Sequence, residues 1–229
     1  MAVAILALQG AFIEHKKKLE ALGAECFEIR QASDLERPFD RVVLPGGEST
    51  TQAKLLHELG LMGPLRKRIE EGIPVLATCA GLILLAETVD GTGDLDNLNP
   101  AAAKKRLQVK GLGTMPITVR RNAYGRQLGS FHAYGSFGEM DNVPMTFIRA
   151  PFITEVRKGC NVLATCKGNI VAVQYGKQLG MAFHPELDDD NRIHELFLSL
   201  QPQRSTQLTN AKASRFERLK LKAGGFIIT

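Results

Sequence analysis

The alternation of short apolar runs with helical patterns over the first 90 residues constrains the fold of this chain more than any other feature. Val3 to Leu8 is an apolar run fit for a strand. It leads through Gln9-Gly10 into Phe12 to Leu22, where Phe12, Leu19 and Leu22 recur at helical spacing before Gly23. Further strands are expected near Cys26 to Ile29 and at Val42 to Leu44, where Pro45-Gly46-Gly47 breaks the chain. Helical pattern resumes from about Thr51 to Leu59 and from Pro64 to Glu71, and Gly72 separates it from the next strand, Pro74 to Ala77. That repeating order implies a mostly parallel sheet.

A helix follows Cys79, after which residues 90 to 113 change character. Gly91, Gly93, Asp94, Asp96, Asn97, Asn99 and Pro100 cluster before an Ala/Lys stretch, which reads as a surface insertion. Shorter strands are expected at Met115 to Val119, Ser130 to Phe137, Thr146 to Ile148, Val162 to Thr165, Ile170 to Gln174 and Leu179 to Phe183, spaced for an antiparallel extension. A helix around Arg192 to Leu200 closes the body. The expected class is α/β: three layers, with a mostly parallel central sheet flanked by helices and extended by antiparallel strands. Residues 1–200 form one domain in this reading, and 201–229 a basic C-terminal extension for which disorder is one expectation.

Composition enters through charge. The net charge of +5 invites a nucleic-acid reading, but Arg204, Lys212, Arg215, Arg218, Lys220 and Lys222 lie beyond residue 200 with one acid, Glu217. The first 200 residues are left with 23 basic and 23 acidic side chains. They carry no general phosphate-backbone footprint, so no nucleic-acid partner is expected. The apolar run after Met1 is too short to span a bilayer and lacks a basic leader, so no membrane association is expected. Cys26, Cys79, Cys160 and Cys166 show no Cys-x-x-Cys spacing, which argues against a zinc site or a disulfide framework and for the cytoplasm.

Three motifs fall just after expected strands, where open α/β sheets form their ligand crevice. Cys79, on a tight strand-to-helix turn with Ala80 and Gly81, would sit at a helix N-terminus, which favours thiolate over thiol. Read alone, it is equally a small buried hydrophobe. Cys26, Cys160 and Cys166 have no companion motif and read as structural. His184 and Glu186 are two apart, so continued strand geometry would put both side chains on one face, with the carboxylate accepting from the imidazole; a solvated loop is the alternative. His15, His57, His132 and His194 need only solvated or capping roles.

Pro45-Gly46-Gly47-Glu48-Ser49-Thr50 lacks the Gly-Lys-Ser/Thr ending of a phosphate-binding loop. Its glycines suit an oxyanion hole, in which backbone N–H groups point at the oxygen that becomes negative when a thiolate attacks an amide. Glu48 is a candidate for a substrate ammonium group. A plain turn capped by Ser49 is the simpler reading. Together, cysteine, histidine and carboxylate on separate strand ends suggest acyl transfer.

Six stretches carry a resemblance, in order: Leu8-Gln9-Gly10, Leu44-Pro45-Gly46-Gly47-Glu48-Ser49-Thr50-Thr51, Thr78-Cys79-Ala80-Gly81, Arg121-Asn122-Ala123-Tyr124-Gly125-Arg126-Gln127, Phe147-Ile148-Arg149-Ala150-Pro151 and Phe183-His184-Pro185-Glu186. Over residues 1–200 the chain resembles the glutaminase subunits of pyridoxal 5'-phosphate synthase, which are class I (triad-type) glutamine amidotransferases. The resemblance implies Cys79 as nucleophile, His184 as acid and base, and Glu186 as the group orienting His184. It implies an oxyanion hole from the N–H groups of Gly47 and Ala80 with Gln9 nearby, and a glutamine site at Gly47, Glu48, Ser49, Arg121, Ile148 and Arg149. It further implies no metal and no organic cofactor, L-glutamine as substrate, and a (β/α)8-barrel synthase partner in a large hetero-oligomer. A glutaminase for imidazole glycerol phosphate or purine synthesis, a silent docking subunit and a peptidase are the competing readings. The long 90–110 segment and the 201–229 extension depart from the family pattern.

Overall fold

The computed structural model describes residues 1–90, 110–121 and 129–202. Most of the expected insertion and nearly all of the C-terminal extension therefore lie outside the described residues. At the edge of the insertion Leu112 is buried and its N–H donates to the Leu84 carbonyl at 2.7 Å, so that end is packed rather than superficial.

Four strands open the chain: β1 (Ala2–Leu6), β2 (Glu25–Ile29), β3 (Arg41–Leu44) and β4 (Val75–Thr78). They are joined by helix α1 (Phe12–Ala21), a 3-10 turn at Ala32–Glu36, and helices α2 (Ser49–Glu58) and α3 (Met62–Glu70). Helix α4 (Ala80–Leu85) runs into β5 (Ala86–Asp90), and β6 (Met115–Arg120), β7 (Ser130–Phe137), β8 (Met140–Ile148) and β9 (Phe152–Val156) follow. The chain continues through β10 (Cys160–Cys166), β11 (Asn169–Tyr175), β12 (Gln178–Met181) and a 3-10 turn at Pro185–Leu187 to helix α5 (Arg192–Ser199).

The main sheet has the order β2-β1-β3-β4-β12-β11-β9-β6-β5, with β10 paired to β11. β2, β1, β3, β4 and β12 run parallel, whereas β11 is antiparallel to β12, β9 and β10, and β6 is antiparallel to β9. This is the expected mostly parallel sheet with an antiparallel extension. Val3–Leu6, Val42–Leu44 and Val75–Ala77 are fully buried, as strands covered on both faces must be. The chain steps from β1 outward to β2, then across β1 to β3 and β4. Right-handed crossovers in opposite directions put their helices on opposite faces of the sheet.

Three elements differ from expectation. β5 and β9 lie where no strand is expected, and β8 starts six residues before Thr146. β7 and β8 pair only with each other, as a separate ribbon. Phe131 and Phe147 stack across that ribbon at 4.4 Å between ring centroids, and Phe147 packs on Phe183. The ribbon thus rests on the segment that carries His184.

Candidate active site

Four turns at the carboxyl ends of the parallel strands meet at one crevice: Gln9-Gly10 after β1, Gly46 to Glu48 after β3, Cys79 after β4 and His184 beyond β12. They enclose a cavity of about 380 Å³, lined by Gln9, Gly10, Ala11, Gly46, Gly47, Glu48, Ser49, Cys79, Ile83, Arg121, Ile148, Arg149 and His184. Of the residues singled out in the sequence, Ala80 and Glu186 do not line it; both are buried.

Cys79 is the elbow between β4 and α4, with φ 47° and ψ −98°. A non-glycine residue there stores strain of roughly 1–3 kcal/mol, which the surrounding packing must hold in place. Its N–H donates to the Met181 carbonyl at 2.8 Å, and its thiol lies 3.8 Å from the Ile148 carbonyl. The sulfur is therefore set between β12 and the end of β8, at the cavity wall.

His184 and Glu186 do meet, but not by strand alternation. β12 stops at Met181, and Pro185 opens a 3-10 turn that wraps Glu186 back beneath the ring. Glu186 Oε1 lies 2.6 Å from His184 Nδ1. The His184 N–H donates to the Thr146 carbonyl at 2.8 Å, so the β7–β8 ribbon fixes the backbone as well. A Cβ on Gly46 would stand 2.3 Å from His184 Cε1, so glycine is required for the ring to lie against that turn. Nε2 is buried and completes no hydrogen bond among the described residues, although Cys79 is close enough to act on the ring. Burial lowers the His184 pKa, but hydrogen bonding and charge from Cys79 and Glu186 outweigh it and carry it up to about 10. Burial likewise opposes the Glu186 charge, yet His15 and His184 hold its carboxyl below the usual range.

The turn after β3 is locked from both sides. Gly10 has φ +101°, and a Cβ there would stand 1.8 Å from the Gly46 carbonyl oxygen, which accepts from the Ala11 N–H at 3.1 Å. Gln9 Oε1 accepts from the Glu48 N–H at 2.7 Å, while the buried Gln52 donates Nε2–H to the carbonyls of Gln9 and Pro45. Helix α2 is capped by Glu48, not Ser49: its carboxylate accepts from the Thr50 and Thr51 N–H groups and the Thr51 hydroxyl. Burial raises the Glu48 pKa, but these bonds outweigh it and hold the group ionised. Arg121 Nη2 donates to the Thr50 hydroxyl at 2.7 Å and lies 3.4 Å from Glu48 Oε1. Ile148 and Arg149, both exposed, form the facing wall, Arg149 with φ 46°.

Two histidines expected to be solvated are fully buried. His15 and His194 are both 0% exposed, with His15 Nδ1 3.1 Å from His194 Nε2. His15 Nε2 lies 3.2 Å from Thr78 Oγ1 and 3.3 Å from Glu186 Oε2. The charged neighbours Glu14, Lys16 and Lys17 obscure this in sequence. The signal was nevertheless present, because His15 shares the Phe12–Leu19–Leu22 stripe of α1. Thr78 is a third missed residue: its hydroxyl also accepts the Gly46 N–H at 2.9 Å, joining the strand before Cys79 to the glycine turn. His57 and His132 are exposed as expected. Among the described residues no group of three His, Cys, Asp or Glu side chains is arranged to hold a metal ion.

A buried Cys-His-Glu line beside a glycine turn, on a parallel sheet, is a geometry for attack on an amide carbonyl. Comparison with known proteins agrees with it. The model of the SNO glutamine amidotransferase family matches residues 5–201. The chain belongs to that family. This amidotransferase is 52% identical over 198 residues to a pyridoxal 5'-phosphate synthase subunit PdxT of Desulfitobacterium hafniense strain Y51, covering 86% of this chain and 92% of the relative. It is 51% identical over 200 residues to a subunit of the same name from Methanocorpusculum labreanum, covering 87% and 97%. A crystal structure of a glutamine amidotransferase superposes with TM-score 0.75 at 40% identity, covering 86% of this amidotransferase and 96% of that chain.

Proposed function

We propose that this chain is the glutaminase subunit of a pyridoxal 5'-phosphate synthase and hydrolyses L-glutamine to L-glutamate and ammonia. The observation that carries the reading is Cys79 and His184 on the wall of one cavity, with buried Glu186 bonded to His184 behind it, in a family member whose relatives are named as subunits of that synthase.

Cys79 thiolate attacks the side-chain amide carbon of glutamine, forming a C–S bond and an oxyanion held by the N–H groups of Gly47 and Ala80, with Gln9 steadying the turn. His184, protonated, gives its proton to the departing nitrogen, and ammonia leaves a glutamyl thioester. The same imidazole then takes a proton from water, whose oxygen displaces the sulfur and releases glutamate. Glu186 holds the His184 ring and offsets its charge throughout. Arg121 and Arg149 suit the α-carboxylate of glutamine, and Gly47, Glu48, Ser49 and Ile148 complete its site. Ammonia passes to a (β/α)8-barrel synthase subunit within a hetero-oligomer, and pyridoxal 5'-phosphate is the product of the complex rather than a ligand here.

Residues 1–200 act as one catalytic domain in this reading. A cytoplasmic location fits the four free cysteines, and among the described residues no helix is long and apolar enough to cross a membrane.

Glutamate release measured with and without the barrel subunit, together with transfer of nitrogen from amide-labelled glutamine into the pyridine ring, tests the reading. Label in the ring and faster release with the partner are expected. Equal rates and an unlabelled ring would contradict it.

A further inference from the structure

Glu186 is 4% exposed and must carry charge where burial opposes it. Its Oε1 is engaged by His184, but Oε2 is a buried oxygen that completes no hydrogen bond among the described residues. A buried carboxylate oxygen without a donor is costly, and the nearby nitrogen is His15 Nε2 at 3.3 Å. An unprotonated nitrogen there would set lone pair against lone pair, so Nε2 carries the proton, shared between Glu186 Oε2 and Thr78 Oγ1 at 3.2 Å. The neutral ring then has a bare Nδ1, which accepts from His194 Nε2 at 3.1 Å. His194 Nδ1 is left as an unprotonated nitrogen, and it is indeed buried without a partner among the described residues. Full burial pushes the pKa of both rings down, so neither is charged near neutral pH.

We propose that His15 is a positioning residue of this glutaminase: held by His194 in the tautomer protonated on Nε2, it fixes the second oxygen of Glu186 and thereby the ring of His184. The proposal rests on the glutaminase reading and extends the triad one residue inward. Its reach is set by Thr78, which accepts from His15 and from the Gly46 N–H and precedes Cys79 in the chain. One imidazole thus ties the carboxylate, the nucleophile's strand and the glycine turn together. His15 does not line the cavity, so its loss acts on turnover rather than on glutamine binding. The charged and titratable groups acting on it are Glu186, His184, Glu14 and Lys18, with His194 against its far side.

The test uses the full chain assembled with its barrel subunit. His15→Leu is expected to lower kcat by about 10–100-fold, the size of effect typical at metal sites when an outer partner that orients a functional group is removed. The glutamine KM should stay within about twofold, and the acid limb of the kcat profile should move to higher pH. His15→Gln, whose amide donates near the Nε2 position, should recover most of the loss. A His15→Leu enzyme with unchanged kcat and pH profile would overturn the proposal, as would a loss that only tracks the unfolded fraction. Nitrogen-15 NMR of the wild-type histidine rings gives an answer independent of substrate and of variant folding. A neutral His15 protonated on Nε2 is expected at pH 7, and a proton on Nδ1 or a charged ring there refutes the idea. Failure of the wild-type complex to release glutamate would count against the glutaminase reading itself, while the ring spectrum still decides the tautomer.

Discussion

At the mouth of the cavity Glu48, Arg121, Ile148 and Arg149 are partly exposed, and Glu48 and Arg121 are engaged with Thr50 and Thr51. Beneath it, forming the floor on which His184 rests, Thr78, His15, Glu186 and His194 are sealed from water and joined to one another by side-chain contacts of 3.1–3.3 Å. The mouth can exchange its bonds for contacts with a substrate, because water and neighbouring hydroxyls replace what is lost. The floor cannot, since a group removed there leaves a buried partner unsatisfied. In the proposed reaction, glutamine binding falls to groups that can rearrange, whereas the groups that hold His184 in place cannot.

The difference is open to attack at several strengths. Cys79→Ala should abolish glutamate release, by at least about 10⁴-fold, while circular dichroism and Tm stay close to wild type. Residual turnover above that level would remove the sulfur from the chemistry. Glu186→Gln should reduce kcat by about 10³–10⁴-fold, because an amide N–H facing His184 Nδ1 favours the wrong tautomer. A steady-state assay showing a KM effect instead would move Glu186 from floor to mouth.

Acid unfolding probes the floor without mutation. His194 is pushed down to about 2 by burial, aided by His15 and Lys18, whereas an unfolded histidine titrates near 6.5. The unfolded chain therefore binds a proton below about pH 6.5 that the fold refuses, and stability falls as pH falls. From pH 7.5 to pH 5 the His194 share of that loss is about 2 kcal/mol, read by urea titration as the difference in pH dependence between wild type and His194→Phe. The smallest effect belongs to the mouth: Arg121→Ala should raise the glutamine KM about tenfold with kcat nearly intact, and Arg121→Lys should recover only part.

Much of this arrangement was legible in the chain itself. The β1 to β4 order followed from apolar runs broken by helical stripes, and the three site motifs fell at strand ends, where a doubly wound sheet opens. β5 and β9 were not legible, because Glu87 and Asp90 interrupt one and Thr154 and Glu155 the other, as befits strands with exposed faces. Glu48 is a candidate in sequence for a substrate ammonium group, and its carboxylate also caps α2, a role that adjacent threonines disguise. The stripe it shares with Phe12 and Leu19 marks His15 as buried despite the lysines beside it, but its partner Glu186 lies 171 positions away. Pairings that join remote segments leave no local pattern, and the floor of this site is made of such pairings.

In the proposed reaction Cys79 alone among the cysteines is the nucleophile, and labelling with a glutamine-mimicking diazo ketone decides this. The chain, assembled with its barrel subunit, should acquire one adduct, mapped by mass spectrometry to Cys79 and prevented by excess L-glutamine. Modification at Cys26, Cys160 or Cys166 instead, or continued glutamate release with Cys79 unlabelled, would contradict it.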